Sequence, residues 1–142
     1  MANIQSFQIQ QDTPVASHGM GADLKVARFQ VQLPVTATND TIEFGFLPQY
    51  AVIVDASLHS GAGTFTGDIG VPADADGIFD GVTTVANTVL RASLATLIGK
   101  NLGAAPVKVS GIATGAGTAG ILNLIVKYVV EDFGVAYPNN PA

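Results

Sequence analysis

The sequence predicts an all-β protein, built as an antiparallel sandwich or barrel. Apolar and polar residues alternate with a period of two along most segments that are rich in apolar residues. No segment shows the 3.6-residue periodicity of a long amphipathic helix. Turn residues such as those in "SGAG", "VPADADG" and "GKNLGAAP" interrupt these stretches about every 8 to 14 residues. Short strands at that spacing favour an antiparallel arrangement over alternating strands and helices. The alternating stretches occupy residues 24–131, which we predict to be one β-sandwich domain.

The N-terminal residues 1–23 differ from the rest because they are rich in glutamine and contain one short alternating stretch, "IQSFQIQ". The C-terminal tail 132–142 is rich in proline and asparagine and is expected to be irregular, and both ends could be disordered. The apolar side chains of Ile4, Phe7 and Ile9 argue against pure disorder of the N-terminal arm. An extended arm that adds a strand to a neighbouring subunit would use them, so we predict that they form an interface between subunits.

Each predicted strand of the domain places its apolar side chains on one face. The clearest strand, "ILNLIVKYVVE", is expected to bury Leu122, Leu124, Val126, Tyr128 and Val130. The corresponding sets in the other strands are Phe29, Val31 and Leu33; Ile42, Phe44 and Phe46; Val52, Val54, Ala56 and Leu58; and Val107 and Val109. The stretch "NTVLRASLATL" is rich in β-branched residues and reads as one more strand, although its alanines and leucines would also suit a short helix.

Composition excludes several classes of protein. The 142 residues suffice for one domain with a buried core. No apolar run approaches the roughly 20 residues of a membrane-spanning helix, and the N-terminus lacks the blocks of a secretory signal, so we expect no membrane partner and no export. The absence of cysteine excludes disulfides, thiol catalysis and cysteine-based zinc sites.

The charge pattern points to protein partners. Eleven acidic residues against six basic ones give a net charge of −5, and the basic residues are scattered along the sequence, so nucleic acid is not an expected partner. Only 12% of the residues are charged, whereas the surface of a free monomer is typically about 25–35% charged. We infer that much of the surface faces other protein.

The acidic stretch "TGDIGVPADADGIFDG" is the strongest candidate for a chemical site. Asp74, Asp76 and Asp80 supply a fragment of a calcium loop, but no bidentate glutamate follows, so they are weak candidates for a metal site. We favour a structural interpretation in which residues 74–81 form one helical turn capped by Asp74 or Asp76, and in which Ile78 and an adjacent phenylalanine plug the end of the sandwich. Paired carboxylates for glycoside hydrolysis are poorly supported, because the chain has no tryptophan and only three tyrosines.

Two further motifs have structural interpretations. The stretch "GAGTAG", residues 115–120, fits the glycine pattern of a dinucleotide site, but a strand pattern follows where that site needs a helix, so we predict a hairpin loop. Asp55, Ser57 and His59 share a strand face, yet serine would lie between the other two, whereas a nucleophilic triad needs histidine in the middle. His18 sits beside a glycine in a loop, and two histidines in the positions of His18 and His59 make a poor metal site. We therefore predict no catalytic residues, no cofactor and no enzymatic activity.

The order of three segments resembles the head decoration (cement) proteins of tailed bacteriophages, which are small β-sandwich proteins of the virion. These segments are "LPQYAVIVDASLHS", then "FTGDIGVPADADGIFDG" with its strand ending in Ile-Gly before an Asp-x-Asp turn, and finally "VKVSGIATGAGTAGILNLIVKYVVED". The resemblance spans about residues 45 to 132. A tail, fibre or baseplate adaptor with the same fold is the alternative, and a carbohydrate- or calcium-binding sandwich module is a weaker one.

The resemblance implies a jelly-roll-like sandwich that often forms a homotrimer and binds the major capsid protein on the outside of the capsid. Its role would be to stabilise the expanded head, and the protein would be made in the host cytoplasm. Extended termini in such proteins often reach across neighbours, which suits residues 1–23. The family has no catalytic residues to carry over.

Overall fold

The computed structural model describes residues 2–10, 24–92, 97 and 99–131. Nine strands and one short helical turn make up this part of the chain. Their bounds are β1 Asn3–Gln5, α1 Phe7–Gln10, β2 Lys25–Leu33, β3 Thr41–Leu47, β4 Ala51–Ser60, β5 Thr66–Val71, β6 Asp74–Thr83, β7 Val89–Arg91, β8 Val107–Ala113 and β9 Gly120–Val130. The all-β prediction is therefore confirmed.

The strands form two sheets, one with the order β1-β3-β8-β5-β6 and the other with the order β2-β9-β4-β7. All pairings are antiparallel except that between β1 and β3. Apart from the edge strand β1, eight strands lie in two four-stranded groups, and most connections pass from one sheet to the other. This is the arrangement of a jelly roll.

The core lies between the two sheets and is filled by the inward-facing side chains that alternation predicts. In β2 the buried residues include Phe29, Val31 and Leu33, and in β9 the inward series runs from Leu122 to Tyr128. Burial in this core raises the pKa of the Tyr128 hydroxyl. The first four members of the predicted β9 series are confirmed as core residues, while Val130 is half-buried against them.

Two predicted core residues are wrong, and β-bulges are the reason. The pairing of β3 with β8 shifts register between Glu43 and Gly45, which turns Phe46 outward with 48% exposure. In β4 the register shifts between Ile53 and Asp55, which exposes 47% of Val54. A bulge inserts one extra residue, so the alternation of faces changes phase at that point.

Candidate interaction surfaces

The acidic stretch forms a hairpin, and the predicted helical turn over residues 74–81 is wrong. β5 and β6 pair across a turn at residues 72–73, with register shifts on both sides of Ile69. These irregularities let two successive residues, Ile78 and Phe79, point into the core, with 0% and 5% exposure. The Asp-x-Asp pattern suggested a capped helical turn. The segment is instead a paired strand that buries two large side chains.

Two of the three candidate metal ligands lie together. The pKa of Asp74 is raised, chiefly because its carboxyl group hydrogen-bonds that of Asp76, with burial and repulsion between the charges adding to the effect. Lys100 acts in the opposite direction. Asp80 does not join them: within the described ranges, no group of three or more histidine, aspartate or glutamate side chains is arranged to hold a metal ion. The pair lies on the edge strand of the larger sheet.

The glycine-rich stretch 115–120 connects the two sheets, so the predicted hairpin is wrong. β8 pairs with β3 and β5, whereas β9 pairs with β2 and β4. The loop is held by single bridges from Gly117 to Thr36 and from Thr118 to Thr64. At its end, a Cβ on Gly120 would lie 2.1 Å from the backbone nitrogen of Gly63, so only glycine fits there. A strand follows, as predicted, and not the helix of a dinucleotide site.

Asp55, Ser57 and His59 share the outer face of β4, and two of them touch. Ser57 Oγ and His59 Nε2 lie at a hydrogen-bonding distance of 3.0 Å, a contact that the sequence did not predict because average strand spacing places such residues about 7 Å apart. The Asp55 carboxylate instead contacts Arg91 at 3.5 Å and accepts a hydrogen bond from the backbone of Ala56. The serine–histidine pair therefore lacks an aspartate that orients it in the manner of a triad.

The first residues of the predicted arm pack on their own sandwich. β1 pairs with β3 in the same chain, and Ile4 is 9% exposed within the core. Ile9 is half-buried, and the backbone of Phe7 lies in α1. Contact of Ile4, Phe7 and Ile9 with a neighbouring subunit stays a prediction, and Ile4 offers little surface for it.

Several predictions fall outside the described residues. These are the role of His18, the remainder of the arm over residues 11–23, and the irregular tail 132–142. Of the stretch 87–97, residues 89–91 form strand β7, which pairs with β4 at the edge of the smaller sheet. Among the residues that the structure describes, no helix is long and apolar enough to cross a membrane.

Charge is segregated between the two sheets, a feature that the scattered basic residues of the sequence did not reveal. The strands of the four-stranded sheet carry four basic residues and one acidic residue, a net charge of +3; these are Lys25, Arg28, Arg91, Lys127 and Asp55. The strands of the five-stranded sheet carry one basic and five acidic residues, a net charge of −4; these are Lys108, Glu43, Asp68, Asp74, Asp76 and Asp80. The sequence shows which predicted strand carries each charge. It does not show which strands share a sheet, so the segregation of charge emerges only from the topology.

A groove of about 590 Å³ lies at one end of the sandwich. The apolar residues that line it include Phe46, Leu97 and Val107, and Lys100 and Lys108 also line it. Lys108 also hydrogen-bonds Glu43 at 2.9 Å, which holds the pKa of that carboxylate below its usual value.

Comparison with known proteins gives two similar solved structures. No protein-family model matches the chain, and no curated protein matches it. A chain in the capsid of Ralstonia phage GP4 is 27% identical, with a TM-score of 0.74, over 91% of this chain and 98% of that chain. A chain in the capsid asymmetric unit of cyanophage Pam1 is 22% identical, with a TM-score of 0.62, over 82% of this chain and 91% of that chain. The likeness to the Pam1 chain supports the fold alone.

Proposed function

We propose that this chain is a structural protein of a phage virion that decorates the outside of the capsid and stabilises the expanded head. The single observation that supports this most strongly is the similarity to the GP4 capsid chain over 98% of that chain. Because the match covers nearly the whole of both chains, the similar chain is also a small sandwich and has few residues outside it. A sandwich of this size suits an accessory component that is added to a shell.

In this proposal the partner is the major capsid protein, and three copies of the chain associate as a homotrimer. A low charge content of 12% and exposed valines on the strands are consistent with a surface that is covered by other protein. Many weakly bound copies on one shell hold it through multivalency, which requires no chemistry. The proposed role is therefore non-catalytic, and the Asp55–Arg91 ion pair beside Ser57 and His59 suits a structural surface.

Co-sedimentation with capsid shells tests the proposal. Purified protein is mixed with expanded, undecorated shells and, as the matched control, with unexpanded procapsids. We expect saturable binding to expanded shells alone, with a copy number that identifies the symmetry site. Absence of binding to both would contradict a decoration role and favour the alternative of a tail, fibre or baseplate adaptor, which labelling of the protein on intact particles would locate.

A further inference from the structure

We infer that the outer surface of the four-stranded sheet, here called the basic face, is the surface that docks on the capsid shell, and that it meets an acidic and apolar patch of the shell protein. This inference rests on the proposed function. The basic face consists of the outward residues of β2, β9, β4 and β7, and it differs in charge and in apolar content from the outer surface of the opposite sheet.

The cations of the basic face lie in adjacent rows across the strands. Cross-strand pairing aligns Arg28, Ile125, Ser57 and Arg91 in one row over all four strands. Four strands at about 4.8 Å spacing place the two ends of that row roughly 14 Å apart. Lys127 lies in the next row, between Val26 of β2 and Asp55 of β4. The chain contains only two arginines, and both lie on this face.

Exposed apolar side chains concentrate on the same face. Of the eight large apolar residues that are exposed in the described part of the chain, four lie on strands of this sheet: Val26, Val54, Val89 and Ile121. The strands of the opposite sheet contribute one, Phe46. The centres of protein–protein interfaces are more apolar than the rest of the protein surface, and arginine is enriched in them.

Charge complementarity decides the chemistry of the partner. The outward residues of this face include three cations and one anion, a net charge of +2 on a chain of net charge −5; these are Arg28, Arg91, Lys127 and Asp55. Such a face favours an acidic surface and turns the acidic sheet away from it. The aliphatic residues between the cations require a partner that also buries apolar area, which a protein surface provides and a nucleic-acid backbone does not. The acidic sheet of a second copy has the right sign, but stacking opposite faces of identical sandwiches gives an open filament and not a closed oligomer.

Two matched pairs of variants test the basic face. Arg28→Glu is compared with Lys100→Glu, because both replace one exposed cation by an anion, and Lys100 lies outside the basic face. Val26→Asp is compared with Val35→Asp; these valines are 55% and 73% exposed, and Val35 lies in the loop after β2. Circular dichroism and thermal unfolding first establish that all four variants fold. Co-sedimentation with expanded shells then gives their dissociation constants.

We expect Arg28→Glu and Val26→Asp to weaken shell binding at least roughly tenfold, while the two control variants bind within about twofold of the wild type. Wild-type binding should weaken as salt rises from about 0.05 to about 0.5 M, and Arg28→Glu should flatten that dependence. If the wild type binds and both face variants bind equally well, the inference is wrong and the proposed function stands. If the wild type does not bind at all, both fail.

Two further measurements assign the face to another occupant if the inference is wrong. Sedimentation velocity would show loss of self-association in Val26→Asp if the face joined copies of the chain. Fluorescence anisotropy with duplex DNA would show binding that Arg28→Glu abolishes if the face bound nucleic acid. Either result would overturn docking of this face on the shell.

Discussion

At the scale of single residues, Asp40 ties the beginning of the chain to the sandwich. Its carboxylate accepts hydrogen bonds from the backbone nitrogens of Ala2 at 3.0 Å and Ala37 at 2.9 Å, and the residue is 8% exposed. These bonds favour the charged form and lower the pKa of Asp40, the bond from Ala2 contributing most. Such a carboxylate has a lower pKa in the folded state than in the unfolded state, so its charge stabilises the fold at pH values above the pKa of the unfolded state. This stabilisation is lost as the pH falls through the pKa of the folded state.

We predict that Asp40→Asn lowers the melting temperature at pH 7, and that the difference from the wild type narrows as pH falls below about 4. Asparagine keeps the shape but loses the charge and presents an amide nitrogen to one of the two donors. Thermal unfolding followed by circular dichroism at pH 7 and pH 3 measures both effects. Asp80→Asn is the control, because it removes an exposed carboxylate from β6. A gap that stays constant over this range would show that the Asp40 charge contributes nothing to stability.

At the scale of elements, β1 and α1 illustrate how little of a short edge element can be predicted from its sequence. β1 is three residues long and pairs in parallel with β3. Ser6 follows it and is buried: its backbone nitrogen donates to Glu43 at 2.7 Å and its hydroxyl donates to the carbonyl oxygen of Phe44. The alternation in "IQSFQIQ" correctly indicated an extended segment with apolar contacts. It contained no information on whether those contacts are within the chain or with a neighbour.

We predict that Ile4→Ala lowers the free energy of unfolding by about 2–4 kcal/mol, because it leaves a cavity in the core. Ile121→Ala is the matched control: Ile121 lies on the outer face with 39% exposure, so the expected loss is about 0.5 kcal/mol. Chemical denaturation of the two variants gives both values. A stable Ile4→Ala protein that nevertheless fails to associate would restore the interface between subunits as the role of this residue.

Strands with a clean alternation were predicted almost completely, and irregular ones were not. The inward series of β2 and the central part of β9 follow from sequence because a buried sheet face repeats every two residues. The inward positions predicted for Phe46 and Val54 are wrong because Phe46 follows a bulge and Val54 lies within one, and a bulge depends on the register of the partner strand. The contact of Ser57 with His59 also depends on local geometry that alternation alone does not specify.

At the scale of the whole molecule, the jelly roll sorts the charges into an acidic and a basic sheet. Consecutive strands mostly alternate between the two sheets, so residues that are distant in sequence, such as Arg28 and Lys127, come together on one face. The strand edges of the two open sheets are also brought to the surface, where unpaired backbone groups favour association with further protein.

We predict that the purified chain sediments as a trimer, with three times the monomer mass of 14.5 kDa, over a range of concentrations. A closed symmetric assembly would cover strand edges and apolar side chains that a monomer with few charges exposes. Sedimentation equilibrium measures the mass directly. A mass equal to that of one chain at every concentration would contradict the trimer and leave attachment to the shell to be judged by co-sedimentation.

The sequence by itself determined the all-β class, the strand spacing and most of the core, because burying one face of a pleated strand imposes a period of two. The sequence also identified the acidic stretch and the glycine-rich stretch as two segments that differ from the regular strand pattern. Only the tertiary structure decided that the first is a hairpin, that the second crosses between sheets, and that Asp74 meets Asp76 without Asp80. These features depend on pairing between strands that are distant in sequence. A local pattern of residues does not specify which strands are neighbours in a sheet.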